Sequence, residues 1–179
     1  MLNKWLPWLI TLGGVWLLSK SSRTPSGSLT KDFSLDEFAR DSGTKAYLTP
    51  DIIKNIEALA KNVLQPARDK TGIPIRITSG VRTPTHNAAI GGVEGSQHTF
   101  GMAADIQPVP ATNANYKRLF DAIQSGTYDQ LIWERAPYPS GVPSHLHVSY
   151  VRPNSGNPLY NTNRKRKLLY LNGNYSTIV

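Results

Sequence analysis

Residues 96–105 read Ser-Gln-His-Thr-Phe-Gly-Met-Ala-Ala-Asp, and residues 145–147 read His-Leu-His. Between them they offer imidazoles at His98, His145 and His147 and a carboxylate at Asp105. Two imidazoles and one carboxylate are a ligand set for a hydrolytic zinc, leaving a fourth tetrahedral position open for water. A metal so held makes water a nucleophile near neutral pH.

Residues 145–151 alternate as a strand, which puts His145 and His147 on one face and Leu146, Val148 and Tyr150 on the other. The second set is apolar and reads as core. Taken alone, His-x-His also fits two solvent-facing polar residues. Asp105 interrupts an apolar run from Met102 to Ile106. An ionised carboxylate there is costly unless it is paired or binds a metal. A backbone or arginine partner is the competing explanation. His98 lies in a loop flanked by Gly95 and Gly101, whose turns can fold it back over the strand.

The elements that must position these groups follow from the rest of the chain. Its 179 residues, 39% hydrophobic and 18% charged, suit one globular domain with a real core. It contains no cysteine, so disulfides and thiolate metal sites are excluded. The formal charge of +8 suits an anionic partner such as nucleic acid, acidic lipid or an acidic wall polymer. The one dense basic run, Arg164-Lys165-Arg166-Lys167, is short and has no nucleic-acid motif beside it. It reads as a solvated stretch or an envelope-facing patch, and no nucleic-acid partner is expected.

Residues 6–18 are almost entirely apolar, with Trp5, Trp8 and Trp16 placed as interfacial anchors. The length fits a signal-peptide core, yet no small-x-small cleavage site follows. Residues 1–20 are therefore expected to be a membrane anchor or signal segment in a hydrophobic helix, and 21–32 a polar linker. The folded domain is expected over 33–179.

Ser34-Leu35-Asp36-Glu37 is a capping box, with Phe33 and Phe38 spaced as a hydrophobic staple. A helix starts at Thr49-Pro50 and carries one apolar stripe to Leu64, where Pro66 kinks or restarts it. Residues 75–78, 103–109, 128–134 and 145–151 read as strands, and Tyr116, Leu119, Phe120 and Ile123 mark a further helix. Asn172-Gly173 between short apolar runs signals a hairpin. The order predicts an α+β single domain, a mainly antiparallel sheet with helices packed against it.

Several stretches together resemble peptidase family M15, the zinc D-Ala-D-Ala carboxypeptidases and peptidoglycan endopeptidases, in its small phage and bacterial form. They are residues 33–38, 77–84, 90–92, 96–105, 130–134 and 145–149, in matching order and spacing. The resemblance implies a zinc DD-peptidase-like fold, Zn2+ as cofactor, and His98, Asp105 and His147 as its ligands. It implies peptidoglycan as partner, with activated water attacking an amide of a stem peptide or crosslink. Many relatives carry the catalytic acid three residues before the distal histidine, where this chain has Ser144. Glu134, at the end of a neighbouring strand, is the expected replacement. His145 is expected to hydrogen-bond the developing oxyanion or line the site. Arg82 is expected to contact a substrate carboxylate or carbonyl, with a salt bridge to Asp105 or Glu94 as its competing role. Ser96 and, more weakly, Gln97 are expected to line the site.

The expected function is thus cell-wall peptide hydrolysis at the envelope, membrane-anchored or secreted, or in phage lysis or entry as a virion-associated protein. The alternative is a non-catalytic, zinc-containing wall-binding or virion module. Oligomeric state is left open.

Overall fold

The computed structural model describes residues 27–179, and the expected N-terminal hydrophobic helix lies outside the described residues. Among those described, no helix is long and apolar enough to cross a membrane.

The folded region opens with α1 (Leu35–Phe38), where the Glu37 carboxylate accepts from the Ser34 backbone N–H at 2.8 Å. Phe33 and Phe38 are both buried, as the staple requires. A short helix that the sequence pattern does not announce, α2 (Ser42–Tyr47), is capped by Asp41. Helix α3 (Pro50–Leu59) begins at its Thr49 cap with Pro50 in the first turn. It runs into a π-helical turn (Ala60–Leu64) and on into α4 (Gln65–Thr71). Pro66 has no N–H to return to the preceding turn, and the wider turn just ahead of it lets the rod continue. Gly72, in the left-handed region at φ 67°, ends it. Two further helices, α5 (Pro84–Ala89) and α6 (Asn113–Gln124), follow later in the chain.

Six strands form one sheet: β1 (Ile75–Ser79), β2 (Ala103–Pro108), β3 (Gln130–Glu134), β4 (Leu146–Ser149), β5 (Arg166–Leu171) and β6 (Asn174–Thr177). Their order across the sheet is β1-β2-β4-β3-β5-β6. Four of the five pairings are antiparallel, but β3 and β5 run parallel, so the sheet is mixed. This refines the expectation of a mainly antiparallel sheet. The chain leaves β4, passes β3 and pairs on its far side, and a strand that skips one antiparallel neighbour lands parallel to it.

A buried clamp holds that parallel start. Asp129, fully buried just before β3, accepts from the Arg164 backbone N–H at 2.9 Å and from its guanidinium at 2.7 and 2.6 Å. The N–H of Arg166 donates to the Asp129 carbonyl at 2.8 Å. The basic run 164–167 is therefore divided by the fold. Arg164 pairs inward, while Arg166 stands on a strand.

One face of the sheet packs on the helices. Ile56, Leu59 and Leu64 of the helical rod and Tyr116, Leu119 and Phe120 of α6 join Ile77, Ile106, Leu131, Trp133, Leu146 and Val148 in a single apolar core. Each such side chain, fully buried, contributes about 1.5–3 kcal/mol. The alternate residues of the same strands face the other way, and that outer face carries the chemistry.

Candidate metal centre

Strand register delivers the first two groups. Asp105 on β2 pairs directly with His147 on β4, so both project from the outer face at the same level. Leu146 and Val148 are fully buried behind them. The third group arrives from a 3-10 turn (Gln97–Phe100) that leads into β2. Gly101 closes this turn at φ 68°, where a Cβ would meet the Ile52 carbonyl at 2.8 Å. The turn is tied down on several sides. Tyr47 Oη donates to the Thr99 carbonyl at 3.1 Å, Asn55 Nδ2 to the Phe100 carbonyl at 3.0 Å, and Gln97 Nε2 to Asp129 Oδ2 at 2.9 Å.

His98, 2% exposed, is oriented by a backbone acceptor. Its Nδ1–H donates to the Gly80 carbonyl at 2.7 Å. That tautomer leaves the Nε2 lone pair facing the strands. Gly80 itself packs so tightly that a Cβ would collide with the Phe38 backbone.

The donor atoms converge. His98 Nε2 lies 3.2 Å from His147 Nδ1 and 3.3 Å from Asp105 Oδ1, and His147 Nδ1 lies 3.1 Å from Asp105 Oδ1. Ligands on a tetrahedral zinc at about 2.0–2.1 Å stand about 3.3–3.4 Å apart, so this triangle has the edge lengths such an ion needs. The remaining Asp105 oxygen is held by the Arg82 guanidinium, and Arg82 Nε donates to Ser79 Oγ at 2.9 Å. Asp105 therefore offers one oxygen to the cluster and gives the other to Arg82.

The electrostatics suit a cation. Burial by itself would raise the Asp105 carboxyl, but the charges and hydrogen bonds of His98 and His147 outweigh it and hold the group well below the usual carboxylate range. Burial pushes His98 below the ordinary histidine value despite the attraction of Asp105. Both shifts favour the states that ligate: ionised carboxylate and neutral imidazole.

A cleft of about 580 Å³ surrounds the cluster, and Arg82, Ser96, Gln97, Glu134 and His145 line it. Glu134 is the last residue of β3, and its N–H donates to the His145 carbonyl at 3.3 Å. It follows Ile132 on the outer face, while the alternate residues Leu131 and Trp133 enter the core. Burial raises the Glu134 pKa, an effect His147 partly offsets. His145 Nε2 lies 3.6 Å from Asp105 Oδ1, and its Nδ1 lies 2.9 Å from Ser144 Oγ. Ser144, where many relatives have the acid, thus steadies the His145 ring. Burial lowers the His145 pKa, against the pull of Asp105.

Every site residue expected from the sequence lines this one cleft. Arg82 is paired with Asp105, the competing role anticipated for it, and still faces the cleft. Gln97 is 4% exposed and bonded to Asp129, so it braces the turn as well as lining the site. Sequence reasoning missed Asp129, Asn55, Tyr47 and the Gly80 carbonyl. Asp129 carried one usable signal, an acid at the head of an apolar strand.

The His98–Asp105–His147 cluster, in an outer-face cleft of a mixed sheet, has the donor set of a divalent-metal site. Comparison with known families matches residues 31–135 to the family described as Peptidase M15. The chain belongs to the peptidase M15 family, whose members are zinc-dependent metallopeptidases. The match spans His98, Asp105 and Glu134 and ends before His145 and His147. No curated protein gave a significant match to the chain.

Proposed function

We propose that this chain hydrolyses amide bonds in peptidoglycan stem peptides or crosslinks as a zinc peptidase. The observation that carries the reading is the convergence of His98, Asp105 and His147, whose donor atoms all lie within 4.8 Å of one another, in a cleft that also holds Glu134. When bound there, zinc supplies a Lewis acid that polarises the scissile carbonyl and lowers the pKa of water toward neutrality.

The protein's own groups do the proton work and the positioning. The Glu134 carboxylate takes a proton from the attacking water and passes it to the leaving amine. Its raised pKa makes it a better match to that double role than an ordinary surface carboxylate. His145 directs an imidazole N–H at the carbonyl oxygen as negative charge builds. Arg82 keeps N–H donors beyond those used on Asp105 and Ser79, enough to hold a substrate carbonyl or carboxylate. Ser96 lines the same wall.

The reading extends to location. The +8 charge suits an acidic wall polymer, and the apolar run over 6–18 suits a tether or export signal at the envelope. A phage lysis or entry role is compatible with both.

Purified sacculi incubated with the full-length chain test the proposal. New amine ends are expected with zinc, and none after chelation or in His98→Ala. Full release by the metal-free protein overturns the mechanism. Wall binding without new amine ends, unchanged by Glu134→Gln, favours the non-catalytic wall-binding module instead.

A further inference from the structure

The basic run 164–167 is not one patch, and its third member is left without a structural task. Arg164 is spent on Asp129. Lys167 lies on β5 next to Arg166 and so points to the opposite face of the sheet. Arg166 shares its face with Leu168 and Tyr170, and all three line the metal-site cleft. Among the described residues no side chain hydrogen-bonds its guanidinium, and no carboxylate lies within 4.0 Å of it. Arg166 is also exposed, so its charge is open to a ligand.

The surroundings extend this cation into a subsite. Ile132 pairs with both His147 and Leu168, which makes an apolar floor running from the metal cluster to β5. Tyr170 and Tyr175, facing each other across the β5–β6 hairpin with ring centroids 4.7 Å apart, wall the opposite end of that floor, level with Glu134. Tyr175 is 61% exposed, a large aromatic surface open to the cleft. The hairpin lies wholly outside the residues matched to the family.

We infer that Arg166, at the end of the cleft away from the Tyr170–Tyr175 pair, binds a side-chain carboxylate of an anionic peptide lying across the strands. The inference rests on the peptidase reading of the cleft and narrows its substrate class. Two strand spacings separate β4 from β5, and Arg166 lies two residues along β5 from Leu168, the residue level with His147, which places Arg166 about 12 Å from the cluster. An extended peptide covers that span in about three to four residues. The recognised acid therefore lies about three to four residues from the reacting amide. A guanidinium suits it because its N–H pair matches both carboxylate oxygens.

The test uses acetylated, amidated six-residue peptides of alternating L- and D-alanine, with one Glu at the first or sixth position, each beside its Gln counterpart. Binding to the metal-free full chain is measured by calorimetry, which needs no turnover. One Glu peptide is expected to bind about tenfold tighter than its Gln counterpart, the effect of one charge-assisted hydrogen-bond pair. That ratio is expected to fall to near one in Arg166→Gln and to persist in part in Arg166→Lys, with circular dichroism confirming that both variants fold. Equal affinity of Glu and Gln peptides for the wild type overturns the inference, as does a preference that survives Arg166→Gln. Zinc-dependent cleavage of these peptides without Glu preference overturns it while leaving the peptidase reading standing. Neither binding nor cleavage of any peptide overturns both.

Discussion

Asp105 and His147, far apart in the chain, are direct partners across β2 and β4, with His147 Nδ1 at 3.1 Å from Asp105 Oδ1. The ladder between the two strands fixes the pair, and the two residues are held on rigid backbone rather than on loops. The loop-borne member, His98, is brought to them by its own network, so the three groups depend on the fold in different ways.

Replacing His98 with Ala removes one donor of the triangle. Zinc content is expected to fall from about one per chain, and affinity to drop by more than the roughly 10–100-fold that losing an outer partner of a ligand costs. Elemental analysis after dialysis against a weak chelator reads this directly. Stoichiometric zinc in the variant would show that the metal sits elsewhere.

Glu134→Gln is expected to keep the zinc and lose catalysis, by a factor on the order of 10²–10⁴ in kcat. In the wild type the base works only when ionised, and burial raises its pKa. Activity is therefore expected to rise with pH as the carboxyl ionises and to fall as acid protonates it, burial working to raise the midpoint and the zinc charge to lower it. A pH profile of kcat/KM with no acid limb in the carboxylate range, or one whose limb persists in Glu134→Gln, contradicts the assignment.

Gly80→Ala tests the brace behind His98. The added methyl collides with the Phe38 backbone and displaces the carbonyl that accepts from His98 Nδ1. Zinc affinity is expected to weaken about 10–100-fold, with the cleft residues themselves unaltered. An unchanged zinc dissociation constant would assign that hydrogen bond no part in holding the ligand.

Asp129→Asn leaves Arg164 without its charge partner and loosens the Gln97 contact beside His98. Breaking a buried pair costs about 3–5 kcal/mol, and the 38% exposure of the Arg164 side chain puts the expected loss near the lower figure. Burial works to raise the Asp129 carboxyl, but Arg164 and Gln97 prevail and lower it. Its stabilisation is thus present above the unfolded-state aspartate value and is lost as pH falls through the lower folded value. Urea denaturation from neutral to acid pH measures it, and a wild type–variant difference that stays constant over that range counts against the pair.

Much of the site was legible because its chemistry is carried by rare residue types in telling places. Asp105 stood out as an acid in an apolar run, and strand alternation put His145 and His147 opposite a buried set. The capping box at Ser34, the Thr49-Pro50 helix start and the Asn172-Gly173 hairpin are local signals, and each element forms where its signal lies. The short helix α2 went unnoticed because its sequence, Ser-Gly-Thr-Lys-Ala-Tyr, has no apolar stripe. The parallel pairing of β3 with β5 was equally invisible, since it depends on Asp129 and Arg164 meeting across a long connection.

By itself, then, the order of residues determined which side chains can ligate, which strands alternate and where helices begin, since these depend on near neighbours. Tertiary structure alone decided that His98 turns its Nε2 inward by donating to Gly80, that Arg82 holds one oxygen of Asp105, and that the basic run splits between Asp129 and the cleft. Those outcomes rest on hydrogen bonds and ion pairs between segments distant in the chain, and their partners become neighbours only when the core closes and strand register sets the distances.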